Sequence, residues 1–402
     1  MPKLLQINIV SNFLSTGTIV EDISKVAKAR GWDTYVCFGR KSIPGVNKEY
    51  RIGSKLESLW HYIENRIFDN EGLASRLATY RLIKHIKQIK PDIVHLHNIH
   101  DHYLNYQILF SFLSKSNLQV VWTFHDFWAI TGHCHHFIDA KCELWKTECH
   151  NCPLQHSTVN SLVDRSRRNY YLKKQVFTAC NSLTIVPVSY WVGEMIQQSF
   201  LKEKRIEVIP NGIDIESFQP KNNYEFNLPN DKYIILAVAR DWAYGDRKGL
   251  DDYLRLSRLL KEDEIIVLVG MSKSMIGKMP RNIIGLERIH DKCKLINLYS
   301  RANVLLSLSG AETFGLTVIE ANACGTPAVV YDNTAPPSLI TQTTGFVAKD
   351  KDVDDVYEKI MIIKSRGKDY YSDACKEHVR QHYDKNANYS KYVDLYEELI
   401  AL

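Results

Sequence analysis

The stretch Gly310-Ala-Glu-Thr-Phe-Gly-Leu-Thr-Val-Ile-Glu-Ala-Asn-Ala-Cys-Gly-Thr-Pro-Ala-Val-Val330 decides how the whole chain is read. It follows a short apolar run at residues 303–309, expected as a strand, and opens a helix that Gly325 and Pro327 end. Glu312 falls in the loop and Glu320 on the helix, eight residues apart. Carboxylates at both places can accept hydrogen bonds from hydroxyl groups, as recognition of a sugar and a ribose requires. Between them, the amides of Phe314, Gly315 and Leu316 stand at the helix N-terminus, where unsatisfied N–H groups suit phosphate oxygens. Gly315 has no side chain to hold a ligand off.

Outward from this unit the same alternation continues in both directions. Strands are expected at residues 4–10, 34–38, 93–97, 119–126 and 183–189. A second series follows at 233–240, 265–270, 283–289, 303–309, 328–332 and 345–348. Short apolar runs spaced by helical segments indicate parallel sheets covered on both faces, and the pattern runs twice. The fold class is therefore α/β, with two Rossmann-like doubly wound domains facing a cleft. Pro210-Asn-Gly212 is a turn near the junction, giving domains at residues 1–205 and 206–385. Residues 386–402 place Tyr389, Tyr392, Val393, Leu395, Tyr396 and Leu399 at helical spacing. They form a terminal helix expected to cross back to the first domain.

The quoted stretch resembles the E-x7-E signature of retaining glycosyltransferases of family four (glycosyl transferases group 1), which have the GT-B fold. The resemblance implies that Glu320 holds the donor ribose, that Glu312 touches the transferred sugar, and that catalysis needs no metal. Two basic residues, Arg240 at a strand end and Lys248 before Gly249, can converge on a diphosphate. The family carries Arg and Lys at matching places, where they neutralise the leaving diphosphate. After the first strand, Ser11-Asn-Phe-Leu-Ser-Thr-Gly-Thr18 reads as a small-residue loop that can set amides near a phosphate. Relatives often have two glycines here; this chain keeps Gly17 and has Leu14 where the first would stand. In Thr123-Phe-His-Asp126, His125 at a strand end can bond the sugar or the acceptor hydroxyl, and Asp126 can orient it or contact the acceptor. Many family members have a histidine at this point. His95 and His97, on another strand end, are expected to support the cleft wall.

Cys134, Cys142, Cys149 and Cys152 cluster within a Trp/His/Cys-rich insertion at residues 127–156. Four thiolates, or three with a histidine, can hold a structural zinc ion; reduced thiols and disulfides are the alternatives. The insertion also looks like that of bacterial capsule and exopolysaccharide enzymes, whose acceptors are sugars on polyprenyl diphosphate. The expected activity is thus a hexosyltransferase-type reaction from a UDP- or GDP-linked sugar to a glycan acceptor, with retention of configuration. Two alternatives stand beside it: a non-catalytic GT-B scaffold, and a zinc-dependent hydrolase using the His/Cys cluster with Glu143 or Glu148.

Charge adds a partner. Residues 1–205 hold 26 Lys and Arg against 17 Asp and Glu, a balance of +9; the remainder holds 25 against 29, or −4. The basic stretches at 80–90 and 164–174 mix cations with apolar residues, as a surface resting on an anionic membrane would. No nucleic-acid partner is expected. No apolar run is long enough to cross a bilayer. The chain is therefore expected in the cytoplasm, peripheral at the inner face of the cytoplasmic membrane.

Overall fold

A computed structural model describes residues 1–157, 159–221, 226, 228–245 and 247–401. The chain divides into two units, Met1–Pro210 with Asn386–Leu402, and Asn211–Lys385.

The first unit is built on a parallel sheet of seven strands: β1 Lys3–Ser11, β2 Asp33–Ser42, β3 Lys48–Arg51, β4 Ile93–Leu96, β5 Gln119–Phe124, β6 Leu183–Pro187 and β7 Arg205–Ile206. Their order is β3-β2-β1-β4-β5-β6-β7. The order reverses between β1 and β4, and the carboxyl ends there are where a doubly wound sheet binds ligands. β1, β4 and β6 are buried along nearly their whole length, so they are mainly apolar, with Gln6, Asn8 and His95 as buried polar exceptions. The edge strands β3 and β7 were not expected from sequence. Each is short, and their residues are exposed or half-buried, so no apolar pattern marks them.

The helix Lys385–Ala401 packs in this unit; Leu402, the last residue of the expected terminal helix, lies outside the described residues. Tyr389, Tyr392, Val393, Leu395, Tyr396 and Leu399 bury against Ile19, Ile23, Trp32, Val121 and Val186. Each such side chain contributes about 1.5–3 kcal/mol. Arg205 adds a two-pronged pair to Glu398, with both contacts at 2.8 Å.

The second unit repeats the plan with six parallel strands: β8 Tyr233–Val238, β9 Glu264–Val269, β10 Ile283–Leu286, β11 Val304–Ser307, β12 Ala328–Tyr331 and β13 Gly345–Ala348. Their order is β10-β9-β8-β11-β12-β13, reversing between β8 and β11.

Several strands stop short of the expected ends. β5 ends at Phe124, so His125 and Asp126 lie past it, and β8 ends at Val238, two residues before Arg240. The expected loop at residues 11–18 is also corrected. The helix Leu14–Ala29 begins within it and takes Gly17 into its first turn. Leu14 nonetheless keeps the left-handed backbone a glycine would adopt, at φ 57°. That conformation costs a leucine roughly 1–2 kcal/mol.

Candidate active site

In the second unit the candidate residues flank the switch between β8 and β11. Arg240 is exposed just past β8. The loop after β11 is tied to the Lys248 segment by Gly310 N–H and Ser309 Oγ, which donate to the Arg247 carbonyl at 2.7 and 3.0 Å. Gly249 is required at this crossing: its φ is +78°, and a Cβ there would meet Leu308 O at 2.4 Å. So placed, the Lys248 ammonium forms an ion pair with Glu312. Glu312 is fixed through its backbone, its N–H donating to Thr334 Oγ1 at 3.3 Å and its carbonyl accepting from Ala335 N–H at 3.2 Å.

Gly315, with φ +106°, caps the helix Leu316–Ala323. A Cβ on it would press on Leu339 at 3.1 Å. Phe314 is buried beneath, edge-to-face with Tyr383 at 5.9 Å. Glu320, half-buried on the helix, accepts a hydrogen bond from Tyr299 at 2.7 Å. Burial pushes its carboxyl up to about 7, against the opposing pull of Tyr299 and Lys292. The unit thus offers a pair of basic side chains, a helix N-terminus and a carboxylate four residues into the helix. That set suits a nucleoside diphosphate.

In the first unit, His97 and His125 form a hydrogen-bonded pair beside the switch between β1 and β4. His97 Nε2 meets Gln6 Oε1 at 2.9 Å, and its Nδ1 meets His125 Nε2 at 3.1 Å. Gln6 spends its amide hydrogens on Val20 O and Ser24 Oγ, at 2.9 and 2.7 Å, so its oxygen must accept from His97. His97 Nδ1 then accepts from His125 Nε2–H, and His125 Nδ1 carries the lone pair. Burial lowers the His125 pKa to about 4, with Asp126 opposing, so the ring is neutral at physiological pH. His95 is buried and bonds Thr123 at 2.8 Å and Tyr396 at 2.6 Å. For Asp126, burial opposes charge, but His100 outweighs it and holds the carboxyl far below the usual range. Asp126 bonds His100 Nε2 at 2.9 Å and Trp128 N–H at 3.0 Å. Gly17 is buried, and a Cβ there would meet Val10 Cγ2 at 3.1 Å and the Asn12 nitrogen at 3.2 Å.

The four clustered cysteines line one cavity with His133 and His150. Gly132 N–H points at Cys149 Sγ, 3.3 Å away. A hydrogen bond from Cys134 brings the Cys152 thiol down to about 7, and the same contact raises that of Cys134. Among the described residues, no three of these thiols and imidazoles bring their ligand atoms within 4.8 Å of one another, so a zinc ion on the four cysteines stays a proposal. Of the basic stretch at 164–174 one cation is turned into the fold, while Arg167, Arg168 and Lys174 stay exposed. Lys173 is buried, donating to Trp128 O at 2.7 Å and Thr131 O at 3.0 Å, and burial lowers its pKa to about 8. Arg167 pairs with Glu148, and Arg168 donates to Asn70 Oδ1 at 2.7 Å. Glu71, His100 and Tyr299 were missed from sequence. Each stands outside the motifs and meets its partner only through the fold.

Two Rossmann-like parallel sheets, with a basic pair and an Glu-x7-Glu helix on the second, define a GT-B glycosyltransferase. The sequence matches Glycosyltransferase Family 4 over residues 16–217 and Glycosyl transferases group 1 over residues 218–382. The chain belongs to glycosyltransferase family 4. It is 25% identical over 300 residues to WcaC of Escherichia coli (strain K12), named as a colanic acid biosynthesis glycosyl transferase; the match covers 72% of this chain and 71% of WcaC. A second relative is the N,N'-diacetylbacillosaminyl-diphospho-undecaprenol alpha-1,3-N-acetylgalactosaminyltransferase of Campylobacter jejuni subsp. jejuni. It is 27% identical over 224 residues, covering 52% of this chain and 58% of that protein. Among solved structures, sucrose-phosphate synthase of Thermosynechococcus elongatus superposes with TM-score 0.74 at 16% identity, covering all of both chains. Anabaena Alr3699/HepE in complex with UDP-glucose gives 0.64 at 13% identity, covering 99% of this chain and 100% of that one. At these identities the structures speak for the fold.

Proposed function

We propose that this enzyme moves a sugar from a UDP- or GDP-linked donor, with retention of configuration, to a glycan on polyprenyl diphosphate, in bacterial surface polysaccharide synthesis. The observation that carries the donor half is the Lys248–Glu312 ion pair, held beside the Gly315 helix N-terminus at the switch of the second sheet. Glu320 takes the ribose hydroxyls, and Glu312 the transferred sugar. Arg240, Lys248 and the amides of Phe314, Gly315 and Leu316 offset charge growing on the departing diphosphate. The acceptor hydroxyl attacks from the face the diphosphate leaves and passes its proton to the leaving phosphate oxygen. His125, its Nε2–H held by His97, orients the sugar or acceptor through the rest of its neutral ring, with Asp126 beside it. No metal enters these steps.

The lipid-linked acceptor has support from a different helix. In Lys55–Phe68 the polar His61 and Asn65 face inward, fully buried, while Leu56, Leu59, Trp60, Ile63 and Ile67 lie exposed. This inverted helix, its Lys55 and Arg66 balanced by Glu57 and Glu64, offers an apolar face that suits a bilayer surface. Among the described residues no helix is long and apolar enough to cross a membrane, so the proposed attachment is peripheral, at the inner face of the cytoplasmic membrane.

The test is transfer from a panel of radiolabelled UDP- and GDP-sugars to polyprenyl-diphosphate-linked glycans, with product anomer read by NMR. A retained anomer from a single donor class is expected. Nucleotide-sugar binding without transfer would leave the scaffold reading, absence of any binding would remove the donor assignment, and an inverted product would remove the mechanism.

A further inference from the structure

Beside the acceptor-side carboxylate Asp126, three segments of the first unit bring nitrogen and oxygen donors together. Glu71 lies just beyond the helix Lys55–Phe68, His100 just beyond β4, and His135 in the insertion after β5. One ligand atom from each lies within 4.8 Å of the others. His135 Nε2 stands 3.2 Å from both Glu71 oxygens, and His100 Nδ1 stands 4.0 Å from Glu71 Oε1. The imidazole rings of His100 and His135 are 4.3 Å apart.

His100 is the telling residue. It is 5% exposed, and its Nδ1 is buried without a hydrogen-bond partner. Its Nε2 is committed to Asp126 Oδ2 at 2.9 Å, while Asp126 Oδ1 is anchored by Trp128 N–H at 3.0 Å. The buried Nδ1 faces the Glu71 carboxylate at 4.0 Å, beyond hydrogen-bond reach, with no other partner among the described residues. An imidazole that donates one nitrogen to a carboxylate and offers the other inward is how metal-bound histidines are oriented.

We propose that Glu71, His100 and His135 hold a divalent transition-metal ion, zinc by preference, with Asp126 fixing His100 from behind. Two imidazoles and one carboxylate match the donor set of such ions. Donors on a tetrahedral zinc stand roughly 3.3 Å apart, close to the Glu71–His135 spacing, so a small inward shift of His100 completes the set. The ion leaves a position for water and joins three loops that meet at Asp126. Its role is positioning, and it is separate from the cysteine cavity, which uses sulfur.

The test uses the full chain, stripped with a chelator and titrated with Co²⁺ and Zn²⁺. Cobalt absorption separates thiolate from nitrogen and oxygen ligands, and X-ray absorption of the zinc form reads bond lengths directly. Wild type is expected to show N/O ligands at about 2.0–2.1 Å, distinct from any sulfur at about 2.3 Å. This component should vanish in Glu71→Gln and His135→Gln, persist in Cys149→Ser/Cys152→Ser, and weaken ~10–100-fold in affinity in Asp126→Asn. Thermal unfolding identifies any variant that fails to fold, and the wild-type spectra decide the matter without variants. Wild type that binds no metal, or binds it through sulfur alone, overturns the proposal, as does unchanged binding by folded Glu71→Gln. Nucleotide-sugar binding, measured in parallel, reports on the second unit and fails or succeeds independently.

Discussion

The proposed place of Glu320 on the donor ribose predicts a pH dependence of donor binding that can be worked out in advance. Its carboxyl is pushed up to about 7 by burial, whereas ribose hydroxyls need an ionised acceptor. Donor affinity should therefore be full above that value and fall as pH drops through it. With a competent fraction f, the apparent Kd is the intrinsic Kd divided by f. At pH 8 f is about 0.9 and at pH 6 about 0.09, so affinity should fall about tenfold between them. Binding at pH 6 should also release close to one proton. UDP-glucose and GDP-mannose are suitable probes, since both phosphates are esterified and keep fixed charge in this range. Isothermal titration calorimetry in two buffers of different ionisation enthalpy reads affinity and proton release together. In Glu320→Gln both the pH slope and the proton release should disappear. Glu320→Ala should cost roughly 1.5–3 kcal/mol at pH 8, or about 10- to 150-fold. The same slope in wild type and folded Glu320→Gln would refute the assignment of Glu320 to the ribose.

Arg240→Ala and Lys248→Ala should each lower kcat by ~10²-fold or more while leaving the melting temperature nearly unchanged, since they act on charge that grows in the transition state; near-normal turnover in both would place the diphosphate elsewhere. Replacing Leu56, Trp60 and Ile63 together by Ser should abolish flotation with anionic liposomes and leave soluble-donor binding intact, whereas equal flotation would reassign this face. Lys173→Gln should lower the melting temperature, because Trp128 and Thr131 lose a charged donor worth about 1.5–3 kcal/mol. Cys149→Ser/Cys152→Ser should lose a sulfur-bound zinc ion, read by elemental analysis, without abolishing donor binding.

The doubly wound sheets were legible because buried parallel strands are nearly all apolar, and each such run bounded by Gly, Pro or Asn announces itself. The eleven expected strands are all present. β3 and β7 escaped because edge strands lie exposed and carry polar residues. The helix start at Leu14 escaped for a local reason. A leucine at φ 57° gives no sequence sign of the left-handed turn that precedes the helix.

The candidate site divides along the same physical line. Glu312, Gly315 and Glu320 belong to one loop and one helix, so their relation is set by local spacing, and sequence can express it. Lys248 meets Glu312 across 64 residues, a pairing that neither local spacing nor the resemblance announced. His100, Asp126, Glu71 and His135 come from segments whose proximity depends on strand order alone, and no periodicity encodes that. The helix Lys55–Phe68 makes the point most sharply. Its apolar stripe reads as a core face, yet the fold turns His61 inward to bond Ser75 at 2.8 Å and to accept from Gly72 N–H at 3.1 Å. The histidine satisfies backbone groups that an aliphatic residue would leave unpaired, so the polar face is the one that must be buried. The count of cations over residues 164–174 likewise includes Lys173, which the fold spends on its own carbonyls, so a charged surface has to be read from exposure as well as from composition.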